Sequence, residues 1–157
     1  MMTMRAFLQR LRADDRGATL IETATVAPLL ILLALGAFQA SSAVARQTDL
    51  QNAASEAAAI ALAAAPDTDA KRTTVEQVIE ASSGLAPDQV SVSPAYRCDE
   101  VDTYYTSPDS CVSARVVSSF VKITLTDTYT PTWTRFGMGS PIEYNVTRYV
   151  MFQQDTI

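Results

Sequence analysis

Apolar and polar residues change their spacing three times along this chain, and each change predicts a different element. From Thr23 to Ala45 no residue is charged, and a helix of that length spans about 34 Å, enough for the hydrocarbon core of a bilayer. Pro28 falls inside this run, where its missing N–H predicts a kink or local melting. Downstream, "RQTDLQNAASEAAAIALAAA" contains no breaker before Pro66. The same helix is therefore expected to continue outward, with Arg46, Asp49, Asn52 and Glu56 on one side and Leu50, Ala54, Ala57, Ala58 and Ala61 on the other. An alanine face of this kind permits close approach, most simply by the chain's own sheet.

Pro66-Asp67-Thr68-Asp69 stops that helix and caps a second, short one in which Val75, Val78 and Ile79 share a face and Gly84 ends the run. Alternation then replaces helical spacing. Val90 and Val92, then Val121, Ile123 and Leu125, then Ile142, Tyr144 and Val146 each mark one side of a half-buried strand. "TPTWTRFGMGSP" between the last two is a hairpin loop rich in Pro and Gly. Its Trp133, Phe136 and Met138 either pack on the core or touch another subunit. The predicted fold class is α+β: a long N-terminal helix, membrane-spanning in its first half, a short second helix and a small antiparallel sheet.

Charge orients this layout. The formal net charge is −5, yet Arg5, Arg10, Arg12 and Arg16 outweigh Asp14 and Asp15 before Ala18, leaving −7 for the remainder. A basic flank places the N-terminus in the cytoplasm and everything after Arg46 outside it. The acidic outer part has no basic patch for nucleic acid, and its charge disfavours anionic partners in general. Histidine is absent, which removes imidazole acid-base catalysis, Ser-His and Cys-His nucleophiles and imidazole metal ligation. No enzyme activity, cofactor or metal is expected.

Cys98 and Cys111, the only cysteines, read first as an extracytoplasmic disulfide closing "CDEVDTYYTSPDSC". Two thiolate metal ligands are the competing reading, without further Cys or His to complete a site. Asp99, Glu100, Asp102 and Asp109 in that loop form either a solvated surface or a calcium site, but they lack the spacing of an EF-hand. Asn145-Val146-Thr147 has the form of a glycosylation acceptor, although it lies in a predicted strand.

Three fates fit a basic leader and an apolar run. An uncleaved anchor retains Met1 or Met2. Signal peptidase would use Ala43-Val44-Ala45, although the run is longer than the usual apolar region of about 7 to 15 residues. The third fate is cleavage after Gly17. Gly17, the small Ala18, Glu22 as fifth residue from Ala18 and Pro28 as eleventh resemble a type IV prepilin signal, and "RGATLIETATVAPLLILL" resembles the TadE-like pseudopilins of Tad (Flp, type IVb) pilus systems. Thr23 departs from the aromatic residue usual at its position in that family.

The resemblance implies a pilin-like chain in four parts: a cytoplasmic leader at 1–17 that a prepilin peptidase removes, a transmembrane helix at 18–45, its extracytoplasmic continuation at 46–65, and a small α+β domain at 66–157. It implies single-pass residence in a bacterial inner membrane and entry into an extracellular pilus. The implied partners are the peptidase, an inner-membrane assembly platform, membrane lipid and other pilin and pseudopilin subunits. The implied role is that of a minor subunit in pilus assembly, initiation or tip, and hence in adhesion. The alternative is an uncleaved envelope protein acting as an anchored interaction module.

Overall fold

The structure is a computed structural model that describes residues 16–99 and 101–156, without the side chains of residues 16–19 and of Phe136. Helix α1 runs from Arg16 to Ala64, and α2 from Asp69 to Ser83. Three strands follow, β1 (Val90–Cys98), β2 (Val116–Tyr129) and β3 (Ile142–Thr156), in one antiparallel sheet of order β1-β2-β3. This is the α+β arrangement expected from the spacing. Short 3-10 turns at Pro87–Gln89, Pro108–Cys111 and Thr132–Phe136 lie in the connections.

Helix α1 is continuous through Pro28, so the local melting expected there does not occur. Proline removes one backbone bond, whereas helix on both sides supplies the cooperative structure that holds the remainder. Three hydroxyls in the first two-thirds of α1 are satisfied by its own backbone. Thr25 donates to the Ile21 carbonyl at 2.8 Å, Ser42 to that of Phe38 at 2.9 Å and Thr48 to that of Val44 at 3.0 Å, which removes the cost of placing them in an apolar setting.

The helix ends because Pro66 cannot continue it. Ala65 turns into the left-handed region at φ 42° and still donates its N–H to the Ala61 carbonyl at 3.0 Å. Thr68 then caps α2 by accepting from the Lys71 N–H, and Gly84 closes it at φ 69°, donating to the Glu80 carbonyl at 2.9 Å. Lys71 also hydrogen-bonds the Asp67 carboxylate at 2.9 Å, which holds that carboxyl below its ordinary value. Val75 and Ile79 are buried, but Val78, expected on the same face, is 45% exposed. The sheet contacts a narrow i, i+4 stripe of α2, and Val78 falls beside it.

Residues up to Ser42 form one compact unit and Ala43–Ile157 a second. Within the second, Leu50, Ala54, Ala57 and Ala61 of α1 join Val75 and Ile79 of α2 over one sheet face. That face is made by Val90 of β1, by Val121, Ile123 and Leu125 of β2, and by Val150 of β3. The register sets Val90 and Val146 on either side of Leu125, and Val150 opposite Val121. A β-bulge falls where Phe120 pairs with Met151 but Ser119 pairs with Gln153, leaving Phe152 as the extra residue.

The alanines of α1 are enclosed in this cluster, so added volume there has nowhere to go. Ala54→Leu is expected to destabilise the full chain in detergent by about 1 to 3 kcal/mol in denaturant unfolding, as overpacked cores do. Ala63→Leu, at an exposed position of the same helix, should leave the midpoint within about 0.5 kcal/mol.

Candidate functional site

The residues singled out at the N-terminus stand on the first turns of α1. Residues 1–15 of the expected leader lie outside the described residues, and Gly17 and Ala18 are described only as helical backbone. Glu22 and Pro28 are exposed, four and ten residues beyond Ala18. Glu22 therefore lies about one helical turn, or 6 Å of rise, from Ala18. Among the described residues Glu22 makes no ion pair.

The apolar residues that follow are bare. Leu29, Leu30, Ile31, Leu32, Leu33 and Phe38 are each 59–67% exposed. A lone surface leucine is ordinary, but a continuous helical band of this kind marks a membrane or protein partner. The helix is long and apolar enough to cross a membrane, with a mean hydropathy of 2.0 over its best window.

Two contacts secure α1 to the sheet just beyond this band. Tyr144 of β3 donates its hydroxyl proton to the Ala43 carbonyl at 2.9 Å. Arg46 approaches Asp127 of β2 at 3.4 Å, and Asp127 also accepts from Gln89 at 3.1 Å and from the Thr128 N–H at 2.8 Å. Sequence reasoning placed Tyr144 on a strand face and Arg46 at the end of the apolar run without joining either to a partner. No local pattern encodes a bond between residues 101 positions apart. Ala43-Val44-Ala45 consequently sits inside intact helix with one carbonyl engaged from the sheet.

Cys98 and Cys111 are disulfide-bonded, with Cα atoms 5.3 Å apart. The closed loop folds against the outer edge of β1, where Tyr96 and Tyr105 exchange two backbone hydrogen bonds of 2.8 Å. Asp99, at φ 52°, turns the chain out of β1 and accepts from the Arg115 and Val116 N–H groups at 2.8 and 2.9 Å. Asp102 lies 3.5 Å from Arg97, while Asp109 accepts from the Ser107 hydroxyl at 3.0 Å. Glu100 lies outside the described residues. The loop's other carboxylates thus serve separate structural partners, and among the described residues no three acidic, Cys or His groups gather closely enough to hold a metal.

In the β2–β3 loop Trp133 is half-buried and Met138 58% exposed, while the Phe136 side chain lies outside the description. Gly137 and Gly139 take positive φ of 73° and 74°. A Cβ on Gly139 would approach the indole nitrogen of Trp133 to 3.4 Å, so the turn is shaped around that ring.

Comparison with known families gives one match: the model described as TadE-like protein covers residues 17–59. The matched segment comprises the exposed apolar band and most of the alanine stripe, and it ends before α2 and the sheet. No curated protein and no solved structure matches the chain.

The disulfide holds the loop on the β1 edge. Replacing both cysteines by serine is expected to cost about 3 kcal/mol in the chain-entropy model. Hydrogen exchange should locate the loss: the Tyr96 and Tyr105 amides exchange faster in the variant, while those of Ile123 and Leu125 still open only on global unfolding.

Proposed function

We propose, from the match of residues 17–59 to the model described as TadE-like protein, that the chain is a minor pilin, or pseudopilin, of a Tad (Flp, type IVb) pilus. The observation that carries the reading is the coincidence of that match with an apolar half-helix left bare by its own chain. A membrane covers such a band before assembly, and neighbouring subunits cover it in a filament.

In this reading a prepilin peptidase cuts after Gly17 on the cytoplasmic side. Glycine suits the cut because it lets the protease approach the backbone closely and readily leaves the helical conformation. Cleavage creates an ammonium on Ala18. A carboxylate one turn along, at Glu22, then pairs with the Ala18 ammonium of an adjacent subunit, offsetting the desolvation of both charges. Pairing of this kind defines the axial register at which a subunit joins its neighbours.

The assembly platform and the other pilins are partners in this scheme, and lipid is the environment of the apolar band before assembly. A folded domain of this size suits a subunit that initiates, caps or decorates the filament, with adhesion as an output of the whole pilus. Gly17 stands in the first turn of α1, where a helix unwinds at least cost, whereas Ala43-Val44-Ala45 lies deep inside it with the Ala43 carbonyl bonded by Tyr144, which supports this reading over a secreted product.

N-terminal sequencing of the mature protein is expected to give Ala18, and loss of the prepilin peptidase to leave the leader attached. Met1 or Met2 in a peptidase-competent strain would instead assign an uncleaved, anchored interaction module. Glu22→Gln should leave cleavage intact and reduce recovery of the protein in sheared pili by about tenfold or more, as loss of one partner in a buried charge pair predicts. Recovery equal to wild type would remove Glu22 from the assembly mechanism.

A further inference from the structure

The sheet face opposite the helices carries a second organised feature. Ser93 pairs across the sheet with Lys122, and Lys122 with Tyr149, so the three side chains form a row over β1, β2 and β3. The disulfide loop supplies Tyr104, Tyr105 and Thr106 beside this row, and together they line a cleft of about 240 Å³.

The cleft is built in advance of any ligand. Tyr104 stacks on Tyr149 with ring centroids 3.9 Å apart and planes 15° from parallel, and it meets Phe120 edge-on at 5.3 Å. The Arg97 guanidinium lies 5.8 Å from the Tyr104 ring centre and is itself held by a 3.0 Å bond to the Val101 carbonyl. Tyr149 is thus braced through Tyr104 while remaining 40% exposed. A ligand meeting it does not bear the cost of ordering it.

Lys122 is, among the described residues, the one charged residue lining the cleft. Among the described residues its ammonium makes no ion pair or hydrogen bond, and the Ser93 hydroxyl also has no partner. An aromatic platform, an unpaired cation and free hydroxyls describe a particular ligand chemistry. The electron-rich face of a tyrosine ring accepts the C–H face of a sugar, the ammonium attracts a carboxylate, and hydroxyls exchange hydrogen bonds with hydroxyls.

We infer that this cleft binds one acidic sugar ring, a uronic acid residue of a polysaccharide, with its carboxylate on Lys122 and its ring against Tyr149. The volume lies below the roughly 300–1,000 Å³ of pockets that enclose drug-sized molecules, which suits a single ring of a chain that enters and leaves. A peptide strand is disfavoured because the adjoining β1 edge is already occupied. Tyr105 bonds it at Tyr96, Glu76 accepts from the Val92 N–H at 3.2 Å, and Pro94 has no N–H to offer. Nucleic acid is disfavoured because its affinity comes from several cations along a phosphate backbone, whereas the proposed contact sets one carboxylate on one ammonium and leaves the rest of the sugar chain in solvent, where salt screens it from the acidic surface. The site rests on the sheet domain alone and is independent of how the N-terminus is processed.

The test is calorimetric titration of the full chain in detergent with a mannuronate tetrasaccharide, with neutral cellotetraose and sodium acetate as comparison probes. The uronate is expected to bind, cellotetraose at least about tenfold more weakly, and acetate not to compete, as a combined charge and stacking site requires. Lys122→Gln and Tyr149→Ala should each raise Kd by about tenfold or more, and Lys122→Arg, which retains the charge, by no more than about threefold. Lys122→Gln leaves the aromatic stack in place, so it decides the matter even if Tyr149→Ala unfolds. Absence of binding to the uronate, binding that Lys122→Gln leaves unchanged, or full competition by acetate would each overturn the assignment.

Discussion

The burial of an alanine stripe of α1 in one cluster with the central strand is the constraint on which the folded unit depends. Ala54, Ala57 and Ala61 of α1 are at most 1% exposed, and Val121, Ile123 and Leu125 beneath them are fully buried. Small side chains on the helix and branched ones on the sheet share one buried cluster and together fill the space between the two elements. Helix α2 and the outer strands then complete a core whose centre is already made. The same stripe is the part of α1 that can no longer serve as an oligomerisation surface, because its own sheet occupies it.

One continuous helix therefore carries two kinds of surface. From Ala43 onward it is covered by its chain and tied by Tyr144 and by the Arg46–Asp127 contact. Before that point its leucines and isoleucines are bare. The bare segment is long and apolar enough to cross a membrane, and a band of this kind marks a membrane or protein partner. Glu22 is the charged residue at the start of the apolar run, and the pairing proposed for it would offset the cost of desolvating it.

The disulfide loop between β1 and β2 performs a comparable division of labour. Its backbone covers part of the β1 edge that would otherwise be open to pairing, and its Tyr104 braces Tyr149 on the outer sheet face. The acidic residues that drew attention as cation ligands turn out to support this arrangement locally: Asp99 receives the two N–H groups at the start of β2, and Asp102 lies beside Arg97.

Local spacing was enough to read the elements. An uncharged run, an alanine-rich continuation, Pro66, Gly84 and three alternating segments express constraints that act within a few residues, so α1, α2 and the three strands were legible, as were Gly17, Glu22 and Pro28 as a motif. Val78 and the intact helix at Pro28 were not, since the first depends on how wide a stripe the sheet touches and the second on cooperativity across many turns. The Tyr144–Ala43 bond, the bulge at Phe152 and the Ser93–Lys122–Tyr149 row arise only when strands distant in sequence take one register. That register is decided by burying Val121, Ile123 and Leu125 together, a condition on the whole chain that no single segment contains.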